Sequence, residues 1–305
     1  MATDLDERIR AAAFAYLDTL TARSGGPVTR AELESFVFEG QRVRLIAAQQ
    51  GIWKPRFLDA ALSILTTYVP PGQVPPYEDQ EMGADNYPRY KWRGTDRSHP
   101  DNVGLRRAME EGRRLMWFIG IRPGLYEPRY PVWLAGEEPD QHQFVLALDE
   151  TMRGAWEPGL AAASSFDPAR RYAAVLVRQR LHQRVFRDRV LLAYESRCAL
   201  CRLGHRELLD AAHIREDTRG GKPVVPNGLS MCAIHHRAFD SFVLAVSPDY
   251  RVEIRPDVLD EADGPTLRHA LQGLHRTPIH LPRRRSERPD RELLAERYER
   301  FRAAS

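Results

Sequence analysis

The chain has three cysteines in 305 residues, Cys198, Cys201 and Cys232, all within one short stretch. So few, and an odd number, exclude a disulfide framework. Lysine is nearly absent: Lys54, Lys91 and Lys222 are the only ones among 45 basic residues, so arginine carries the positive charge. Set against 42 acidic residues, this leaves a net charge of +3, too small for a uniformly basic coat. No apolar run reaches the roughly 18 residues that a membrane-spanning helix needs. The opening residues, Met1-Ala-Thr-Asp4-Leu-Asp6-Glu7, are acidic and unlike a secretory signal. No membrane association is expected. Free thiols point to a reducing cytoplasm. No internal repeat is present.

What is present is concentrated between Cys198 and Asp240. Cys198-Ala-Leu-Cys201 and Cys232-Ala-Ile-His235 form two knuckles with ligand spacing, and together they offer four soft donors to one tetrahedral Zn2+. Other polar residues lie between and beside them: Asp210-Ala-Ala-His213-Ile, Asn227-Gly-Leu, then His236-Arg-Ala-Phe239-Asp240. Cutting a phosphodiester requires a deprotonated water, a cation on the phosphate and a proton for the departing oxygen. A neutral histidine is a good base near neutral pH. Asp240 follows His236 by one helical turn and shares its face. Asp210 shares a strand side with Ala212.

These residues resemble the HNH nuclease motif of bacterial restriction-type endonucleases over residues 175–255, and Phe186-Arg-Asp-Arg-Val190 through Cys198 is similar to the helix that precedes it. The resemblance implies a ββα-metal fold with a structural zinc on Cys198, Cys201, Cys232 and His235. It implies His213 as general base, Asn227 as the amide that orients the imidazole or ligates the ion, and His236 as ligand to a catalytic Mg2+ or Mn2+. Relatives often carry a ligand immediately before the base. Here that position is Ala212, which leaves Asp210 either to reach the ion or to brace the loop. Asp240 is a further ligand or a support for one.

Upstream, residues 4–23 have a helical apolar repeat, and Thr29 caps a short helix through Phe36. From Gly40 to Leu148 short β-type runs alternate with glycine and proline: 43–46, 62–68, 87–92, 115–120, 130–134 and 143–148, with a helix near 102–114. Residues 151–170 read as a linker and 170–195 as a basic helix. Phe242–Ile254 reads as strands and 290–304 as a last helix. Arg170, Arg171, Arg178, Arg180, Arg184, Arg187 and Arg189 crowd one segment, a phosphate-binding face or a solvated one.

Pro76-Tyr77-Glu-Asp79 followed by Asn86-Tyr87-Pro-Arg-Tyr90-Lys-Trp92-Arg-Gly94 resembles the pocket stretch of SRA (SET- and RING-associated) domains, which hold a flipped 5-methylcytosine. That resemblance assigns Tyr77 and Trp92 to stacking on the base and Asp79, one residue from Glu78, to its amino group. Ordinary barrel aromatics are the other reading of Tyr77, Tyr90 and Trp92. Arg42, Arg44, Lys54, Arg56 and Arg93 are candidates for the DNA backbone.

The expected fold class is α+β. An SRA-like bent β-barrel with helices covers 1–155, a linker covers 156–180, and a zinc-containing ββα-metal nuclease covers 181–305. The expected function is hydrolysis of double-stranded DNA carrying modified cytosine, 5-methylcytosine or 5-hydroxymethylcytosine, by a bacterial homodimer. Two alternatives stay open: an HNH nuclease reading unmodified or phosphorothioate DNA, and a non-cleaving methyl-DNA-binding protein on a degenerate scaffold.

Overall fold

The computed structural model describes residues 2–48, 50–70, 85, 87–156 and 183–304, and the chain divides into two units, Met1–Leu181 and His182–Ser305. In the first unit the opening repeat forms α1 (Ala2–Ser24), with Ile9, Ala13, Leu17 and Leu20 on one buried stripe, because residues three and four apart share a helix face. After β1 (Val28–Thr29) comes α2 (Arg30–Glu34). The Thr29 hydroxyl accepts the Glu32 N–H, and the Glu32 carboxylate accepts the Thr29 N–H. This reciprocal box satisfies two donors that the helix start would otherwise leave open.

A short hairpin follows, β2 (Val37–Phe38) with β3 (Gln41–Arg42). Then come β4 (Ile52–Trp53), β5 (Ser63–Thr66), β6 (Arg89–Lys91), α3 (Pro100–Glu110), β7 (Leu115–Arg122), β8 (Leu125–Glu138), β9 (Gln143–Ala147) and α4 (Glu150–Ala155). Seven strands make one sheet in the order β4-β5-β7-β8-β9-β6, with β1 added on β8. Only β5 and β7 pair in parallel, as the intervening α3 permits. Register shifts within β7–β8 and β8–β9 bend the sheet. The path does not close among the described residues, so the expected barrel is a half-barrel. Its core packs α1 and α2 against Met116 and Phe118 of β7.

Two local expectations change. Residues 43–46 are not a strand: the Val43 and Leu45 N–H groups donate to the Phe36 and Leu33 carbonyls, so a buried apolar run is used as a lining for α2. Residues 150–155, expected at the start of a linker, are the helix α4, capped by the Asp149 side chain on the Met152 N–H at 2.7 Å. The remainder of the expected linker, with Arg170, Arg171, Arg178 and Arg180, lies outside the described residues.

In the second unit a helix at residues 183–193, α5, precedes the knuckle. β10 (Leu209–His213) and β11 (Gly228–Cys232) form an antiparallel hairpin that runs directly into α6 (Ala233–Asp240). β12 (Leu244–Val246) pairs with β13 (Val252–Ile254), and α7 (Pro256–Asp260), α8 (Pro265–Ala270) and α9 (Arg291–Ala303) complete the unit. Phe186, Val190, Tyr194, Leu229, Met231, Phe239 and Leu294 form its core. No helix among the described residues is long and apolar enough to cross a membrane.

Candidate metal and catalytic site

The knuckle Cys198–Cys201 is a tight turn in which the Cys198 N–H donates to the Leu203 carbonyl and the Arg202 N–H to the Cys198 carbonyl. The Ala199 N–H donates to Ser230 of β11 at 2.7 Å, which pins this turn beside Cys232. Cys232 ends β11 and caps α6, and His235 lies three residues on, so both project to one side of the helix start. The four ligand atoms lie within 4.8 Å of one another, and Cys198, Cys232 and His235 are buried. His235 turns Nδ1 toward the thiols, 3.1 Å from Cys232 Sγ and 3.4 Å from Cys198 Sγ, while Nε2–H donates to the Ala270 carbonyl at 2.7 Å. That outer hydrogen bond fixes the ring with Nδ1 toward the sulfurs, as metal-ligating histidines commonly are.

The electrostatics agree. Burial disfavours a charged imidazole, yet the Cys198 and Cys232 thiols and the Ala270 carbonyl prevail and raise His235 to about 10. The neighbouring sulfurs of Cys201 and Cys232 push the Cys198 thiol far down. The sulfurs thus stabilise positive charge at His235 Nδ1, where a metal ion would take the place of the proton, so these residues could hold a metal ion. Among the described residues no other group of histidine, cysteine and carboxylate atoms draws this close.

His213 ends β10, opposite Gly228. Its imidazole stacks on Phe186 of α5, with ring centroids 4.1 Å apart and planes 20° apart. Burial is the main cause that lowers its pKa below 6.5; Asp217, Asp210 and Asp240 pull upward and the His236 charge pulls down. The ring is therefore neutral at pH 7, as a base must be. Sequence reading gave Phe186 only as part of a lead-in helix. Its ring has room because position 228 is glycine: a Cβ there would meet Val190 Cγ2 at 2.5 Å and Phe186 Cζ at 2.8 Å. Gly228→Ala is expected to lower the unfolding midpoint, at an overpacking cost of about 1–3 kcal/mol, and to slow cleavage by displacing Phe186 from under His213. Unchanged melting and cleavage would show that the contact is unimportant.

The Asn227 side chain is engaged with backbone groups. Its Oδ1 accepts the Arg215 N–H at 2.8 Å, and its Nδ2 donates to the Arg215 and Lys222 carbonyls, each at 3.0 Å. The side chain is 1% exposed. All these bonds go to the backbone of the loop after His213, so Asn227 braces that loop. The loop is held from its other side by α9. Buried Arg297 donates to the Phe239 carbonyl at 2.8 Å and to Glu216 at 3.0 Å, and Arg300 donates to Glu216 as well. These arginines and the Glu216 backbone N–H outweigh burial and hold Glu216 down to about 2. Arg297 and Arg300 had no signal in the sequence beyond one more polar helix.

His236, one residue past the buried His235, faces out of α6. Its Nδ1 lies 3.7 Å from an Asp210 carboxylate oxygen and its Nε2 lies 3.4 Å from Asp240. Asp210 is further tied to the Ala211 N–H at 2.8 Å and lies 3.6 Å from Arg187. The structure thus brings Asp210, His236 and Asp240 together and sets their charges around His213. The two carboxylates flank opposite nitrogens of one imidazole. A single ion on His236 can therefore take one of them, leaving the other to accept the remaining N–H. Oxygen and imidazole donors suit a hard or borderline divalent ion.

In the first unit, Tyr77 and Asp79 lie outside the described residues. Trp92 is 4% exposed, edge-on to His142 at 5.2 Å and with the Arg106 guanidinium 5.9 Å from its ring centroid. Trp92 is thus a buried ring, the arrangement of the core-aromatic reading. Among the backbone candidates, Arg42 and Arg44 are exposed, Lys54 donates to the Leu58 carbonyl at 3.1 Å, and Arg93 pairs with Asp101 at 2.7 Å.

Residues 198–247 match the family model described as HNH endonuclease. No curated protein matches the chain. Among solved structures, the chain is similar to the modification-dependent TagI restriction endonuclease at 18% identity and a TM-score of 0.29, over 83% of this chain and 86% of that one. It is also similar to the Type IV phosphorothioation-dependent restriction endonuclease ScoMcrA at 13% identity and a TM-score of 0.23, over 63% of this chain and 48% of that one.

Proposed function

We propose that this chain, whose residues 198–247 match the HNH endonuclease model, is a modification-dependent DNA endonuclease cutting double-stranded DNA that carries 5-methylcytosine or 5-hydroxymethylcytosine. The observation that carries the cutting half is the neutral His213 imidazole, stacked on Phe186 and ringed by His236, Asp210 and Asp240. The reader half rests on the resemblance of residues 76–94 to a base-flipping pocket.

His213 accepts the proton of the attacking water. Phe186 fixes the plane of that ring, while Asn227 and, through Glu216, Arg297 fix the loop behind it. His236 with one of Asp210 and Asp240 would hold the catalytic ion, the other carboxylate accepting the remaining ring N–H. A bound Mg2+ or Mn2+ supplies Lewis acidity at the scissile phosphate and the departing oxygen. Cys198, Cys201, Cys232 and His235 would hold Zn2+, which would keep the knuckle beside β11 without taking part in the reaction.

One site cuts one strand, so two protomers acting together make a double-strand break. Digesting one plasmid with and without cytosine methylation, in Mg2+ or Mn2+, is expected to linearise only the methylated form. Equal cleavage of both removes the methyl reading, and cleavage confined to phosphorothioate DNA replaces it with the sulfur-reading alternative. Nicked circles that never become linear remove the paired protomers. No cleavage of any DNA favours the non-cleaving scaffold.

A further inference from the structure

We propose that the turn carrying Phe57 is a wedge that inserts its ring into the base stack of duplex DNA. This rests on the DNA-reading role proposed above for the N-terminal unit. Phe57 is 55% exposed, and it is the aromatic one among the large apolar side chains left exposed in the described residues. A single exposed apolar residue is commonplace on its own; the way this one is held is not. Pro55 and Leu58 on either side are buried, and the Leu58 N–H donates to the Pro55 carbonyl at 3.0 Å. Lys54 Nζ donates to the Leu58 carbonyl at 3.1 Å, and the Ala61 N–H donates to Gly104 of α3 at 2.8 Å. The turn is thus fastened to the core and to α3, while the ring projects outward.

Helix α3 contributes to the same surface. A Cβ on Gly104 would meet Lys54 Cδ at 2.9 Å, so the glycine is what lets the lysine stem lie against the helix. The adjacent Val103 is 47% exposed. Arg44 and Arg56 are exposed and have no carboxylate partner among the described residues. The Trp53 indole N–H donates to the Arg44 carbonyl at 2.7 Å, which keeps Arg44 beside the turn. Asp59 is the one exposed acid within it. An apolar ring on a stiff turn, flanked by unpaired guanidinium groups, fits a duplex: the ring replaces a base neighbour while the arginines meet phosphates.

The test uses the full chain carrying His213→Ala, so that bound DNA stays intact. The probe is a duplex with 2-aminopurine next to a methylated cytosine, together with its unmethylated twin. Binding is expected to raise 2-aminopurine fluorescence. The added substitution Phe57→Ala abolishes the rise, and Phe57→Trp keeps it. An equal rise with Phe57→Ala, or no rise on either duplex, overturns the wedge. An equal rise on both duplexes removes the methyl reading and leaves the wedge standing, so the two failures are separable. With His213 intact, Phe57→Ala is expected to slow cleavage of paired DNA by at least about tenfold and to regain most of it when the modified base faces an abasic site, where opening costs less. Equal loss on both substrates would mean that Phe57 acts elsewhere.

Discussion

Cys232→Ser is expected to abolish cleavage and to unfold the C-terminal unit at temperatures where the native chain is intact. Cys232 is a candidate ligand, the end of β11 and the cap of α6 at once. The knuckle it faces is tied to β11 through the Ala199 N–H. A structural zinc site contributes about 10–16 kcal/mol of binding free energy near neutral pH, against a domain stability of about 5–15 kcal/mol. Losing one thiolate therefore takes away an amount comparable with the whole stability of the unit. Metal analysis should find one zinc per native chain and none in the variant, with melting followed by circular dichroism. A brief treatment with a weak chelator separates the two metals: activity lost and then restored by Mg2+ alone means that the structural ion stayed in place. A Cys232→Ser protein that melts and cuts like the native one would sink the assignment.

The second large effect is at the base. His213→Ala is expected to reduce cleavage by about 10²–10⁴-fold, the usual contribution of a positioned general base, while far-ultraviolet circular dichroism stays unchanged. The pH dependence of the native enzyme follows from the sign of the shift. Burial lowers the His213 pKa below 6.5, so the deprotonated, active form persists to lower pH than for an ordinary histidine. The rate should be level through neutrality and fall only on the acid side of 6.5. An acid limb centred above the ordinary histidine range, or native activity in the alanine variant, would falsify the role given to His213.

Much of this site is legible in one dimension because its parts are local. Ligand pairs three residues apart share a turn or a helix start, so Cys198–Cys201 and Cys232–His235 announce themselves by spacing. Asp240 is one turn beyond His236 for the same reason, and the structure sets it 3.4 Å from that ring. The α1 repeat and the Thr29 cap were readable from helix periodicity and capping chemistry. Asn227 was found by its place in the motif, but its bonds to the Arg215 and Lys222 backbone were not legible, because they depend on where that loop's backbone lies. Residues 43–46 failed likewise, because their apolar run suits a strand or a helix lining equally well, and the partner decides.

By itself the sequence supplied the four residues that could hold a metal ion, the candidate base His213, the glycine that follows Asn227, and the stretch 198–247 that matches the HNH model. Those properties depend on residue type and short spacing. Only the tertiary structure decided that Phe186 lies under His213, that Arg297 from the last helix grips the loop beside it, and that Trp92 is enclosed. Each of these joins positions far apart in the chain or depends on which side of a ring is covered, and packing alone sets that.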